Sequence, residues 1–173
     1  MATTAAITFA AIAIAPLAQA VDAEQAMQKE IDAHIAQYGG TQTGPNEISW
    51  EGGSVILTFP YAGERTARSA GASPSATLAG GCPTEAFGND WYCFYVDQNY
   101  GGRRLQWNST HTSAVSFITY GFENQASSWV NGGGKTIFVK DAGQQALWTE
   151  SPHTQSTKVS AFNDNKAVYF TTS

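Results

Sequence analysis

Tyr95-Val96-Asp97-Gln98-Asn99-Tyr100-Gly101-Gly102 is the stretch on which the reading of this chain turns. An aromatic, four residues, a second aromatic, one residue and a glycine suit a hairpin folded over on itself. One ring packs on the turn, and Gly102 takes a backbone angle that a Cβ would forbid. The flanks agree. Trp91-Tyr92-Cys93-Phe94-Tyr95-Val96 is aromatic and β-branched, and Arg104-Leu105-Gln106-Trp107 follows the turn as a second strand. Further short strands are expected at Ser128-Trp129-Val130, Thr136-Ile137-Phe138-Val139-Lys140, Gln145-Ala146-Leu147-Trp148-Thr149 and Ala167-Val168-Tyr169-Phe170. About seven strands at such spacing predict an all-β, two-sheet sandwich.

Upstream the pattern differs. Residues 1–20 hold no charged side chain, and an Ala/Ile/Phe-rich run ends in Ala18-Gln19-Ala20. This predicts a signal peptide over 1–20, cleaved after Ala20, and hence a secreted, extracellular protein. The run is too short for a membrane span of about 20 residues, so no membrane association is expected after cleavage. Over 21–60 a small helix-plus-hairpin leader is expected. Ala26, Met27, Ile31, Ile35 and Tyr38 repeat at helical spacing between a capping Asp22 and Gly39-Gly40. Two apolar runs then flank Glu51-Gly52-Gly53-Ser54. Residues 61–80 have no hydrophobic period and read as a flexible exposed linker, with Arg65 and Arg68 as nick sites. The all-β domain then occupies 81–173.

Cys82 and Cys93 are the only cysteines, and an even count in an exported chain argues for one disulfide. The net charge of −5 comes without a basic stripe, so no nucleic-acid partner is expected. The pair Arg103-Arg104 reads as strand-end surface. Catalysis is not expected: His34, His111 and His153 have no nucleophile or metal-binding partner in any motif, and the two loop histidines read as exposed polar residues.

The fuller string is more specific. Cys82-Pro83, Trp91 to Tyr95, Asn99 to Gln106, Tyr120-Gly121-Phe122 and Ser127-Ser128-Trp129-Val130-Asn131 together resemble the secreted actinobacterial proteins grouped as peptidase inhibitor family I36, over about residues 81–170. Tyr95, Tyr100 and Gly102 resemble the Greek-key signature of βγ-crystallins. The resemblance implies a βγ-crystallin-like Greek-key sandwich and a monomeric inhibitor of an extracellular protease, with metalloproteinases as the family's target. The inhibitory loop is unknown; residues 111–120, 131–135 and 149–157 are candidates. The second Greek key is degenerate, because Phe138-Val139-Lys140-Asp141-Ala142-Gly143 lacks the second aromatic and the spaced glycine.

No cofactor is required by this reading. Members of the crystallin family bind Ca²⁺ through paired polar loops, which implies Glu123, Asn124 and Ser127 on one side and Asn163 and Asp164 on the other. Ala167 stands where a hydroxyl ligand belongs, so any Ca²⁺ site is weak; the other reading is that Asn124 and Ser127 hold a turn. A competing function is a non-inhibitory extracellular module binding Ca²⁺, a protein or a cell-wall polymer, with Trp107, Trp129 or Trp148 stacking on sugars.

Overall fold

The computed structural model describes residues 15–70, 79–83, 91–108, 111 and 113–173. The expected signal peptide lies largely outside the described residues. Helix α1 (Ala15–Tyr38) runs back past Asp22, which is therefore an interior residue and not the cap. Among the described residues no helix is long and apolar enough to cross a membrane.

Among the described residues eleven strands follow. They are β1 (Thr41–Gly44), β2 (Glu47–Trp50), β3 (Val55–Thr58), β4 (Tyr92–Asp97), β5 (Gly101–Trp107), β6 (Val115–Ser116), β7 (Ser128–Asn131), β8 (Ile137–Lys140), β9 (Ala146–Glu150), β10 (Thr154–Ser156) and β11 (Tyr169–Thr172). The larger sheet has the order β1-β2-β3-β5-β4-β7-β10 and the smaller β6-β11-β8-β9, with every ladder antiparallel. Two Greek keys interlock. The first contributes β4, β5 and β7 to the large sheet and sends β6 to the small one; the second contributes β8, β9 and β11 to the small sheet and sends β10 to the large one. The worn second signature therefore still builds its hairpin. Asp141 replaces the missing motif: its carboxylate accepts the Gly143 and Gln145 amides at 2.8 and 2.9 Å and closes the β8–β9 turn.

The first key forms as its sequence predicts. Tyr95 and Tyr100 meet edge to face with ring centres 5.4 Å apart. Gly102 has φ +72°, and a Cβ there would lie 3.0 Å from Val96 Cβ and Asp97 Oδ2. Ser128 holds the fold-over from β7, accepting the Tyr100 amide at 3.0 Å and donating to Asp97 O at 2.6 Å.

Strand β4 is buried on both faces, which explains its unbroken apolar run. Tyr92 and Phe94 point into the core between the sheets, among Trp107, Phe117 and Phe170. Cys93 and Tyr95 point outward into a second, smaller cluster with Cys82, Tyr100 and Val130. The Cys82–Cys93 disulfide is formed and fully buried there. Reducing it releases the 11-residue tether on the unfolded chain, so stability should fall by about 3 kcal/mol in denaturant melts with and without reductant.

The N-terminal hairpin is part of the large sheet. β3 pairs with β5 along Val55–Thr58 and so covers what would be an open sheet edge. Helix α1 packs over β1 and β2 with Met27, Ile31 and Ile35 on the core.

Two expectations need correction. Residues 61–70, read as flexible and exposed, lie as a strap across the outer face of the large sheet. Thr66 bridges Gly102, the Gly102 amide donates to Arg65 O at 2.8 Å, and Ala67 is fully buried. Arg104, read as strand-end surface, is fully buried beneath this strap. Its guanidinium donates to Ala67 O (3.2 Å), Gly81 O, Thr58 Oγ1 (3.2 Å) and Ser69 Oγ (3.1 Å). Neither feature has a hydrophobic signal: the strap is held by its backbone carbonyls, through one cation of β5.

Candidate functional site

Two of the candidate loops come together at one end of the sandwich. Residues 131–135 connect β7 to β8, and residues 150–154 connect β9 to β10. Asn131, fully buried at the end of β7, laces them. Its Nδ2 donates to Lys135 O (2.7 Å), Glu150 O (3.2 Å) and Ser151 O (3.1 Å), and its Oδ1 accepts the Gly133 amide at 3.1 Å. The second loop bonds back to the first. The His153 amide donates to Gly133 O at 3.2 Å, and His153 Nδ1 lies 2.9 Å from Gly132 O. Thr154 Oγ1 closes the turn on Ser151 O at 2.6 Å. Above this buried polar root, Gly134, Lys135 and Ser151 through Gln155 are exposed. The result is an exposed double loop whose backbone is fixed from beneath.

Glu150 roots the second loop. Glu150 pairs with Ile137 of β8 across the β8–β9 ladder and is fully buried. Oε1 accepts from Trp148 Nε1 at 2.9 Å, while Oε2 has no partner among the described residues. Burial raises its pKa well above the ordinary 4.5, and the Trp148 bond only partly offsets this. A carboxyl that holds its proton more tightly when folded favours the folded state most at low pH, and that advantage is lost as pH rises above the unfolded value. Glu150→Gln should therefore raise the melting temperature at pH 7, with the gap closing towards pH 4.

The third candidate segment, 111–120, stands apart. Residues 109, 110 and 112 are outside the described residues. His111 packs edge-on against Phe170 and its pKa is lowered by burial, so it is not an exposed loop histidine. His34 is also buried; its Nε2 donates to Tyr120 O at 3.0 Å, and burial is the main cause of its lowered pKa. Of the three histidines only His153 is exposed. Trp107 and Trp129 are core residues with no face free to stack on a sugar, and Trp148 is half-buried with its indole N–H donated to Glu150.

The polar loops implied for Ca²⁺ do meet. The Asn124 amide donates to Ala167 O at 2.9 Å, and Ser127 Oγ donates to Asn165 Oδ1 at 3.3 Å. Asn163 spends its Nδ2 on Leu147 O, Glu123 is half-buried, and Asp164 Oδ1 is buried without a partner among the described residues. Among the described residues no three His, Cys, Asp or Glu side chains gather where they could hold a metal. Asn124 has φ +55°, a backbone conformation common in turns.

The interlocked keys, the buried disulfide and the laced loops together describe a rigid β scaffold that presents backbone at one end. Residues 77–147 match the model of peptidase inhibitor family I36. Over this segment the chain is similar to that family. The match points to a non-enzymatic protein of the proteinase-inhibitor kind, as the resemblance implied. It includes the first Greek key and residues 131–135, and it stops before the second loop of the pair. No curated protein matches the chain. A solved structure described as "Evolution of the eye lens beta-gamma-crystallin domain fold" is similar at 16% identity with a TM-score of 0.42, over 54% of this chain and 90% of its own.

Nothing in the sequence marked Asn131 as the organiser, because a lone Asn before three glycines reads as turn chemistry. The signal lay in its position at the end of an apolar strand, where a polar side chain is buried and must find partners.

Proposed function

We propose that this protein is an exported proteinase inhibitor, directed at metalloproteinases, that acts through the double loop of residues 131–135 and 150–154. The observation that carries the reading is the Asn131 network. A protease cleft binds a protruding backbone most tightly when the backbone is already ordered, since ordering costs on the order of 1 kcal/mol per immobilised side chain. Here that cost is met during folding. The I36 match supports the inhibitor kind, and the buried disulfide suits an oxidising, extracellular setting.

The test is a titration of the folded chain against a thermolysin-like zinc endopeptidase and a subtilisin-like serine protease. Stoichiometric inhibition of the zinc enzyme is expected. Intact protein that inhibits neither would end this reading.

A second reading rests on the buried, unpartnered Asp164 Oδ1 beside the 124–127 loop. It makes the protein a Ca²⁺-binding module of low affinity. Calorimetry at millimolar Ca²⁺ tests it; absence of heat removes it.

A further inference from the structure

We propose that His153 is a metal-ligating residue, whose Nε2 coordinates the catalytic zinc ion of the proteinase this protein inhibits. The proposal rests on the double-loop reading above and names the partner class it serves.

Three observations carry it. First, His153 Nδ1 lies 2.9 Å from the carbonyl oxygen of Gly132. A carbonyl can only accept, so Nδ1 bears the proton, and in the neutral ring Nε2 holds a bare lone pair. This is the arrangement found in metal-ligating histidines, which donate their other ring N–H to a carbonyl or carboxylate and are thereby held in one tautomer and one orientation. Second, nothing else among the described residues bonds Nε2. The two ring nitrogens diverge, so a ring tied to Gly132 on one side presents Nε2 away from it. Third, the ring stands at the middle of the longest exposed run of the double loop, Ser151 to Gln155. Its backbone is held at φ +56° by the bond from its own amide to Gly133 O. A β-carbon residue at that angle is uncommon, and the residue it places there is exposed.

A zinc proteinase keeps one coordination position open for water, which the metal makes nucleophilic. A neutral imidazole is among the ligands zinc prefers. Nε2 seated in that position displaces the water, and no bond need be cleaved. One histidine is too few to hold free zinc, so the site exists only when three protease ligands complete it. This gives the loop a preference for zinc proteinases over serine proteinases of similar cleft shape.

The experiment uses the whole folded chain and two readouts. His153→Gln keeps a side-chain donor for Gly132 O but loses the ligand. Against a thermolysin-like zinc endopeptidase it should weaken inhibition at least ~100-fold, the upper range for disturbing a metal's supporting shell. The same enzyme carrying Co²⁺ in place of zinc should change its visible absorption when the wild-type chain binds, because a nitrogen ligand replaces water. An inhibition constant unchanged in His153→Gln, or a cobalt spectrum that saturating wild-type chain leaves unaltered, overturns zinc ligation while leaving the inhibitory double loop standing. A wild-type chain that inhibits no proteinase overturns the inhibitor reading, and zinc ligation with it.

Discussion

Asn131→Ala is expected to cost about 3 kcal/mol of stability and to abolish inhibition at concentrations where the wild-type chain saturates the enzyme. The stability loss follows from what stays behind. The side chain is fully buried, and its removal leaves three carbonyls, of Lys135, Glu150 and Ser151, and the Gly133 amide without their partner. Each buried polar group left unpaired costs roughly 1–3 kcal/mol, and the local backbone can relax only enough to rescue some of them. The functional loss is expected to exceed the stability loss, because the two loops are joined through this side chain. Asn131→Asp sharpens the test. It has the same shape, but an ionised carboxylate would face three carbonyl oxygens with no proton to give them. It should be at least as destabilising as alanine at neutral pH. Chemical denaturation of both variants, alongside inhibition measured well below their melting temperatures, separates the two effects. An Asn131→Ala chain that stays folded and inhibits like wild type would show that the loops are not organised from their root.

Arg104→Ala should cost more, about 4 kcal/mol, combining a large core truncation with the loss of buried hydrogen bonds. Among the described residues Arg104 forms no salt bridge. Burial lowers its pKa, with Tyr95 and Glu47 acting in the opposite direction, and its charge is satisfied by the carbonyls of Ala67 and Gly81 and the hydroxyls of Thr58 and Ser69. These acceptors belong to three separate segments, so one side chain ties β3, the strap and the residues just before Cys82 to β5. Releasing it should free the strap as well as lower the melting temperature. Amide exchange at residues 65–69 should accelerate, and trypsin should cut after Arg65 or Arg68 under conditions that leave the wild-type chain whole. A variant that is destabilised but keeps the strap protected would refute this assignment. Arg104→Lys is not expected to rescue, since a single ammonium cannot span four acceptors set around a guanidinium fork.

The sequence by itself determined the parts of this protein that rest on local rules. The Tyr95–Gly102 turn was legible because two aromatics and a glycine at fixed spacing have few other uses, and the structure places the rings and the positive φ where the spacing requires. The disulfide was legible from an even cysteine count in a chain read as exported, and β2 and β3 from their apolar runs around a Gly-Gly turn. The tertiary structure decided the rest. Whether the N-terminal hairpin stands apart or extends the sheet depends on the free edge of β5, which lies some fifty residues away and leaves no mark on β3. The strap at 61–70 has no large aliphatic residue and no hydrophobic period, so its attachment through carbonyls to Arg104 leaves no pattern in the sequence. The same holds for the candidate site. Residues 131–135 and 149–157 could be named as loops, but only strand pairing between the two sheets sets them side by side. Only burial turns Asn131 from a turn residue into the group that fixes both, and only the carbonyl of Gly132 sets which nitrogen of His153 is left bare.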